Sequence, residues 1–199
     1  VCAIDSELGT IQPIDKIIEI KKKYPACRLH VDATQAIGRI PFSFDGIDTM
    51  SLAPHKFGGL NGSGILLKRE GVPMEPLLNG GASITIYRSG TPVLAMAATC
   101  ALSLELALAR EDEENKRIGE YNAFLRKKLS SYSRVQINSP ENSVPHILNL
   151  SVEGVKGTVF QKALADREVC VSVKSACSVE NTPSRSVFSV SRDRKRALS

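Results

Sequence analysis

Residues His30–Gly64 read HVDATQAIGRIPFSFDGIDTMSLAPHKFGGLNGSG, and this stretch decides the fold. One short apolar run closes on Asp32, and the next closes on the pair His55–Lys56, after which glycines stand at 58, 59, 62 and 64. Short apolar runs bounded by turn residues read as strands of an α/β sheet. In such sheets ligands sit in the crevice outside the carboxyl ends of the strands. The spacing therefore sends a carboxylate and an amine to one place from two strands. A lysine amine so placed can form a Schiff base with a carbonyl compound, and the carboxylate can hold a cationic ring nitrogen. The competing reading is a buried Asp–Lys ion pair beside a Gly-rich turn. On spacing alone that plainer reading is the commoner outcome.

Outward from this stretch, the first half alternates strands with helical spacing. Val1–Ile4 is a short apolar run expected as a strand leading to a turn at Asp5–Gly9, and Pro13 suits the first turn of a helix. Ile14, Ile17, Ile18 and Tyr24 then recur at helical spacing with lysines opposite. Strands are expected at Arg28–Asp32, Thr49–Ala53 and Gly64–Lys68, with a short one possible at Glu75–Leu78. This alternation implies a largely parallel or mixed sheet. Val93–Leu129 reads as one long helix or two end to end, with the charged run Ala109–Arg117 at its middle. Beyond it, strands are expected at Val135–Ile137, His146–Val152 and Val169–Val173. Helices are expected at Val159–Arg167 and Ser184–Ser191, the latter capped by Thr182 or Ser184. The reading is α/β: a larger sheet-and-helix domain over residues 1–107 and a smaller α+β domain over 108–199.

Composition narrows the function. The 199 residues are 42% apolar and 24% charged, ordinary for a globular chain. The net charge of +5 rests largely on Lys21–Lys23 and Arg192–Arg196, neither interleaved with aromatics, so nucleic acid is not an expected partner. No apolar run approaches the roughly 18 residues of a membrane span, and the start is not a signal peptide. Five cysteines (2, 27, 100, 170, 177) form an odd set with no CxxC and no metal-type spacing with the three histidines. That pattern fits a reducing, cytoplasmic compartment and argues against a disulfide framework or a metal site. Cys2, Cys100 and Cys170 lie in apolar runs and are expected in the core; Cys27 is expected to be inert. Cys177 differs, lying in the polar stretch Lys174-Ser-Ala-Cys-Ser178. A cysteine in such a loop beside a lysine can react as the thiolate, although a small buried hydrophobe is its usual fate.

The order Asp32-Ala-Thr-Gln35, Ser51-Leu-Ala-Pro-His-Lys56, Arg88-Ser-Gly-Thr91 and Ser175-Ala-Cys-Ser178 resembles the cysteine desulfurases. These form part of the class V aminotransferase branch of the fold-type-I pyridoxal phosphate enzymes. The four motifs span nearly the whole chain, and the turn Gly9-Thr-Ile-Gln-Pro13 is similar as well. The resemblance implies that residues 1–107 are part of the mostly parallel, pyridoxal 5'-phosphate-binding large domain. It implies that Lys56 is the Schiff-base lysine, that Asp32 pairs with the pyridinium nitrogen, and that Gln35 bonds the phenolic oxygen. His55 and Thr91 would hold the phosphate. The Arg88–Thr91 segment would reach the neighbouring subunit of a homodimer with a shared active site.

Cys177 would take sulfur from L-cysteine as a persulfide, leaving L-alanine, and pass it to an acceptor protein for iron-sulfur cluster or thio-cofactor assembly. The alternatives are a related class V aminotransferase, a selenocysteine lyase or β-lyase, and a degenerate paralogue without catalysis. Ser6 stands where the family has an asparagine that helps bind the substrate carboxylate. Ala53 stands where it has a phosphate-touching Ser or Thr, and Ala82-Ser83-Ile84 replaces its Gln-Glu pair. Family members are considerably longer, so the chain is expected to be a fragment lacking their N-terminal part and extreme C-terminus, and inactive alone.

Overall fold

Alternating burial builds the first sheet. Strands β1 (His30–Asp32), β2 (Thr49–Leu52) and β3 (Ile65–Lys68) lie in that order, β1–β2 parallel and β2–β3 antiparallel. Successive side chains of a strand point to opposite faces. Val31, Met50 and Leu52 accordingly go to the core, while His30, Asp32, Thr49 and Ser51 share the other face. The computed structural model describes residues 1–81, 85–174 and 182–199. They form two compact units, one of Val1–Ala3 with Pro13–Glu111 and one of Ile4–Gln12 with Asp112–Ser199.

In the first unit, Val1–Ala3 adds a single parallel bridge, Cys2 to Asp32, rather than the strand expected over Val1–Ile4. The Ala3 N–H donates to the Asp32 carbonyl and the Asp32 N–H to that of Val1, both at 2.8 Å. Helix α1 (Ile14–Lys22) follows Pro13 and buries Ile14. Tyr24, expected on the same face, lies past the helix end and is 62% exposed. Pro25 explains the early stop, because the residue before a proline avoids the helical region. Lys21 then reaches back to Asp48 at 2.6 Å, and the Leu29 N–H donates to the same carboxylate at 2.6 Å. Burial by itself would push the Asp48 carboxyl up. The Leu29 N–H, Lys21 and Arg28 outweigh burial and hold it below the usual carboxylate range.

The helical run expected over Val93–Leu129 is two helices, α2 (Leu94–Ala109) and α3 (Glu111–Leu129), separated at Arg110. α2 buries Cys100 and Ser103. Gly59 lies so near it that a Cβ there would stand 2.8 Å from the Ser103 hydroxyl and 2.7 Å from Pro54 Cβ. No strand forms at Glu75–Leu78. Pro73 and Pro76 cannot donate to a ladder, and Leu77 is 97% exposed.

In the second unit, β4 (Val135–Ile137) and β5 (Leu150–Val152) pair antiparallel, Val135 opposite Val152. The strand expected from His146 begins only at Leu150, because Pro145 and a turn from Val144 to Ile147 precede it. Helix α4 (Gly157–Ala165) is followed by no strand at Val169–Val173. The Val169 N–H donates to the Leu164 carbonyl, and Gln161 donates to that of Val171, so α4 occupies the backbone a ladder needs. Cys170 and Cys2 are both exposed, contrary to expectation, whereas Cys100 is buried. Helix α5 (Arg185–Ser191) has Ser184 as its N-cap, the side chain accepting from the Val187 N–H at 3.1 Å. The Asp5–Gly9 turn bonds to this helix start: Ser186 donates to Asp5 at 2.9 Å and Ser184 donates to Glu7.

Candidate active site

Asp32 is the last residue of β1. β2 ends at Leu52, and Ala53 leads into a 3-10 turn, Pro54–Lys56. Because the two strands are adjacent and parallel, Asp32–Gln35 and His55–Lys56 leave the sheet from the same end. The Ala33 N–H donates to the Ser51 carbonyl at 3.0 Å, holding the strand ends together. Asp32 is half-buried and accepts from the Thr34 N–H at 2.9 Å; Gln35 follows in the same turn, also half-buried. Lys56 is half-buried and His55 exposed. Among the described residues no cation pairs with Asp32 and no carboxylate pairs with Lys56. The Asp–Lys ion pair of this unit is Lys21–Asp48 instead.

Of the remaining expected residues, Ser6 and Thr91 are exposed and Cys177 lies outside the described residues. Thr91 and Arg88 are exposed in the segment before α2, and no hydrogen bond joins Thr91 to His55 or Lys56 among the described residues. In this segment the Ser89 N–H donates to the Leu78 carbonyl at 2.9 Å, and the Lys68 ammonium lies 5.2 Å from the Tyr87 ring. Ser6 is exposed and belongs to the second unit. Cys177 lies outside the described residues, as do the rest of Ser175–Ser178 and Ala82–Ile84. Lys174 and Thr182, which flank the cysteine segment, are joined directly, the ammonium donating to the Thr182 carbonyl and hydroxyl.

Two features of the site are absent from any motif. His30, on the Asp32 face of β1, places its ring nitrogens 2.9 Å from the Thr49 hydroxyl and 3.3 Å from that of Ser51. Arg39 donates to the Lys56 carbonyl at 2.9 Å. A bond to a backbone carbonyl from a residue far along the chain leaves no periodic signal. Neither was legible in spacing.

The donor set suits a pyridoxal group. Its protonated ring nitrogen requires an anionic acceptor, and its aldehyde requires a nucleophilic amine. Asp32 and Lys56 provide these from neighbouring strand ends, with neither charge committed elsewhere among the described residues. The residues fit the group.

An acid and a lysine leaving adjacent parallel strands at the same end of a mixed sheet is an arrangement shared by a broad class of cofactor-binding α/β folds. Residues 1–194 match the family "Aminotransferase class-V", and the chain belongs to that family. It is 36% identical over 183 residues to a "NifS/IcsS protein homolog" of Lactobacillus delbrueckii subsp. bulgaricus, covering 89% of this chain and 48% of that protein. It is also 36% identical over 178 residues to "Cysteine desulfurase IscS" of Dictyoglomus turgidum, covering 87% and 45% respectively. Among solved structures, a "NifS-like protein" superimposes with a TM-score of 0.88 at 32% identity, covering 99% of this chain and 52% of that one. "SspA in complex with cysteine" gives a TM-score of 0.76 at 25% identity over 98% of this chain and 55% of that one. The chain spans about half the length of the curated relatives it matches.

Proposed function

We propose that this chain carries much of the active site of a pyridoxal phosphate-dependent cysteine desulfurase. One observation carries the reading: Asp32 and Lys56 leave adjacent parallel strands at the same end, and no ion pair holds either charge. Lys56 is the attachment point for the cofactor and moves the proton at the substrate Cα. Asp32 keeps the ring nitrogen protonated, and Gln35 donates to the phenolic oxygen. His55 and Thr91 bind the phosphate, Thr91 from the partner subunit of a homodimer with a shared site. Ser6 contributes a hydroxyl to the substrate carboxylate. The cofactor supplies the electron sink for charge at Cα.

Cys177 attacks the sulfur of L-cysteine as a thiolate. The substrate Cβ–S bond breaks, a new S–S bond forms on Cys177, and Cβ gains a proton, so L-alanine leaves with no outside oxidant. The persulfide sulfur then passes to an acceptor protein in the cytoplasm for iron-sulfur cluster or thio-cofactor assembly. In this reading residues 1–107 belong to the cofactor domain and 108–199 to the smaller domain. Two substitutions in the complete protein carrying this sequence test it. Lys56→Ala abolishes the imine absorbance and the borohydride-reducible link. Cys177→Ser keeps both and stops alanine release from cysteine. A reducible link in Lys56→Ala overturns the role of Lys56, and continued alanine release in Cys177→Ser removes that cysteine from the mechanism.

A further inference from the structure

We infer that Arg39 is a positioning residue that fixes the backbone of Lys56, and through it the lysine's approach to the cofactor. The inference rests on the cofactor reading above. Lys56 ends a three-residue 3-10 turn, so its carbonyl is left without a partner inside that turn. No backbone N–H of the described residues reaches it. The chain beyond is Phe57-Gly58-Gly59, two glycines that confer no stiffness of their own. Arg39 supplies the missing partner with a charge-assisted bond of 2.9 Å, stronger than a neutral one.

The approach of Arg39 is built into the fold. Asp32 caps the Thr34 N–H, and two overlapping turns run from Ala33 and Ala36 to Ile40. Gly38 sits in the left-handed region at φ +70, where a Cβ would stand 2.8 Å from Ala107 Cβ and 3.6 Å from Phe57 Cβ. The positive φ and the close approach of Ala107 both call for glycine here, and the turn it allows packs at ordinary contact distance from Phe57, the residue after Lys56. The segment that starts at Asp32 therefore ends by holding the segment that carries the amine. One turn thus sets both ends of the cofactor pair, the ring-nitrogen acceptor and the root of the lysine. A small displacement of a reacting group from its productive geometry is costly in rate and in covalent bonding.

The test uses the complete protein carrying this sequence, titrated with pyridoxal 5'-phosphate, reduced with borohydride, and analysed by peptide mass for cofactor on Lys56. Arg39→Gln raises the cofactor dissociation constant about tenfold and lowers the share of bound cofactor trapped on Lys56. Arg39→Lys, which keeps a cationic donor, restores most of that share. Arg39→Leu keeps the bulk and carries the same test if Arg39→Gln does not fold. A merely structural arginine would lower the unfolding temperature of the apoprotein but leave the trapped share per bound cofactor unchanged. That result overturns the inference while leaving the cofactor reading intact. Absence of cofactor uptake by the unsubstituted protein overturns both.

Discussion

The first unit holds two combinations of aspartate and lysine, and they are treated in opposite ways. Lys21 and Asp48 are closed on each other at 2.6 Å, with side-chain exposures of 20% and 7%. Asp48 also takes the Leu29 N–H, so its charge is fully engaged. Asp32 and Lys56 leave neighbouring strand ends, yet neither is neutralised by a side chain among the described residues. The difference lies in where each pair arises. Asp48 enters the sheet just ahead of β2 and meets a lysine at the end of α1, so packing forces a buried carboxylate to find a cation. Asp32 and Lys56 stand at the carboxyl end of the parallel strands, the end at which α/β sheets bind ligands.

Substitutions at the two pairs separate them sharply. The largest effect on stability is expected from Asp48→Asn, which removes the buried carboxylate and leaves the half-buried Lys21 without its counter-charge. Loss of one partner of a buried pair costs about 3 kcal/mol, measurable as a lower denaturant midpoint. A smaller effect follows from acid. Asp48 titrates below its unfolded value, so its stabilisation is complete above the unfolded pKa of about 3.9 and is lost as the pH falls through the lower folded value. In Asp48→Asn that part of the acid-induced loss disappears from the stability–pH curve. The smallest effect is expected from Lys56→Met in the cofactor-free protein, about 0.5 kcal/mol or less, since no ion pair is broken. A loss as large as that of Asp48→Asn would mean that Lys56 is structural, and the contrast between the pairs would collapse.

Short apolar runs bounded by turn residues made the strands of the first sheet readable, and the motif order carried the family. Spacing alone favoured an Asp–Lys ion pair at Asp32 and Lys56. The pair that forms is Lys21–Asp48, joined across a helix end and a strand entrance where no local pattern could announce it. The strand expected at Val169–Val173 shows the opposite failure. Its β-branched composition is strand-like, but a strand needs a partner edge, and α4 holds that backbone instead. Cys2 and Cys170 were expected in the core because their neighbours are apolar. A single bridge at Cys2 and the absent strand at Cys170 leave both exposed. At the site, the residue types of Asp32, Gln35, His55 and Lys56 were legible from the chain. Arg39 was not, because its partner is a main-chain oxygen.

The Asp5–Gly9 turn has a consequence for modularity. Asp5 and Glu7 hydrogen-bond Ser186 and Ser184 at the start of α5, and the Val144 N–H donates to the Gly9 carbonyl. The second unit is therefore not a contiguous cassette. A recombination event that exchanged Asp112–Ser199 for the corresponding piece of a relative would leave its own turn behind, and the incoming helix would meet a foreign one. Shuffling within the family thus carries a linkage between residues at opposite ends of this chain. Position 5 and position 186 are inherited best as a haplotype.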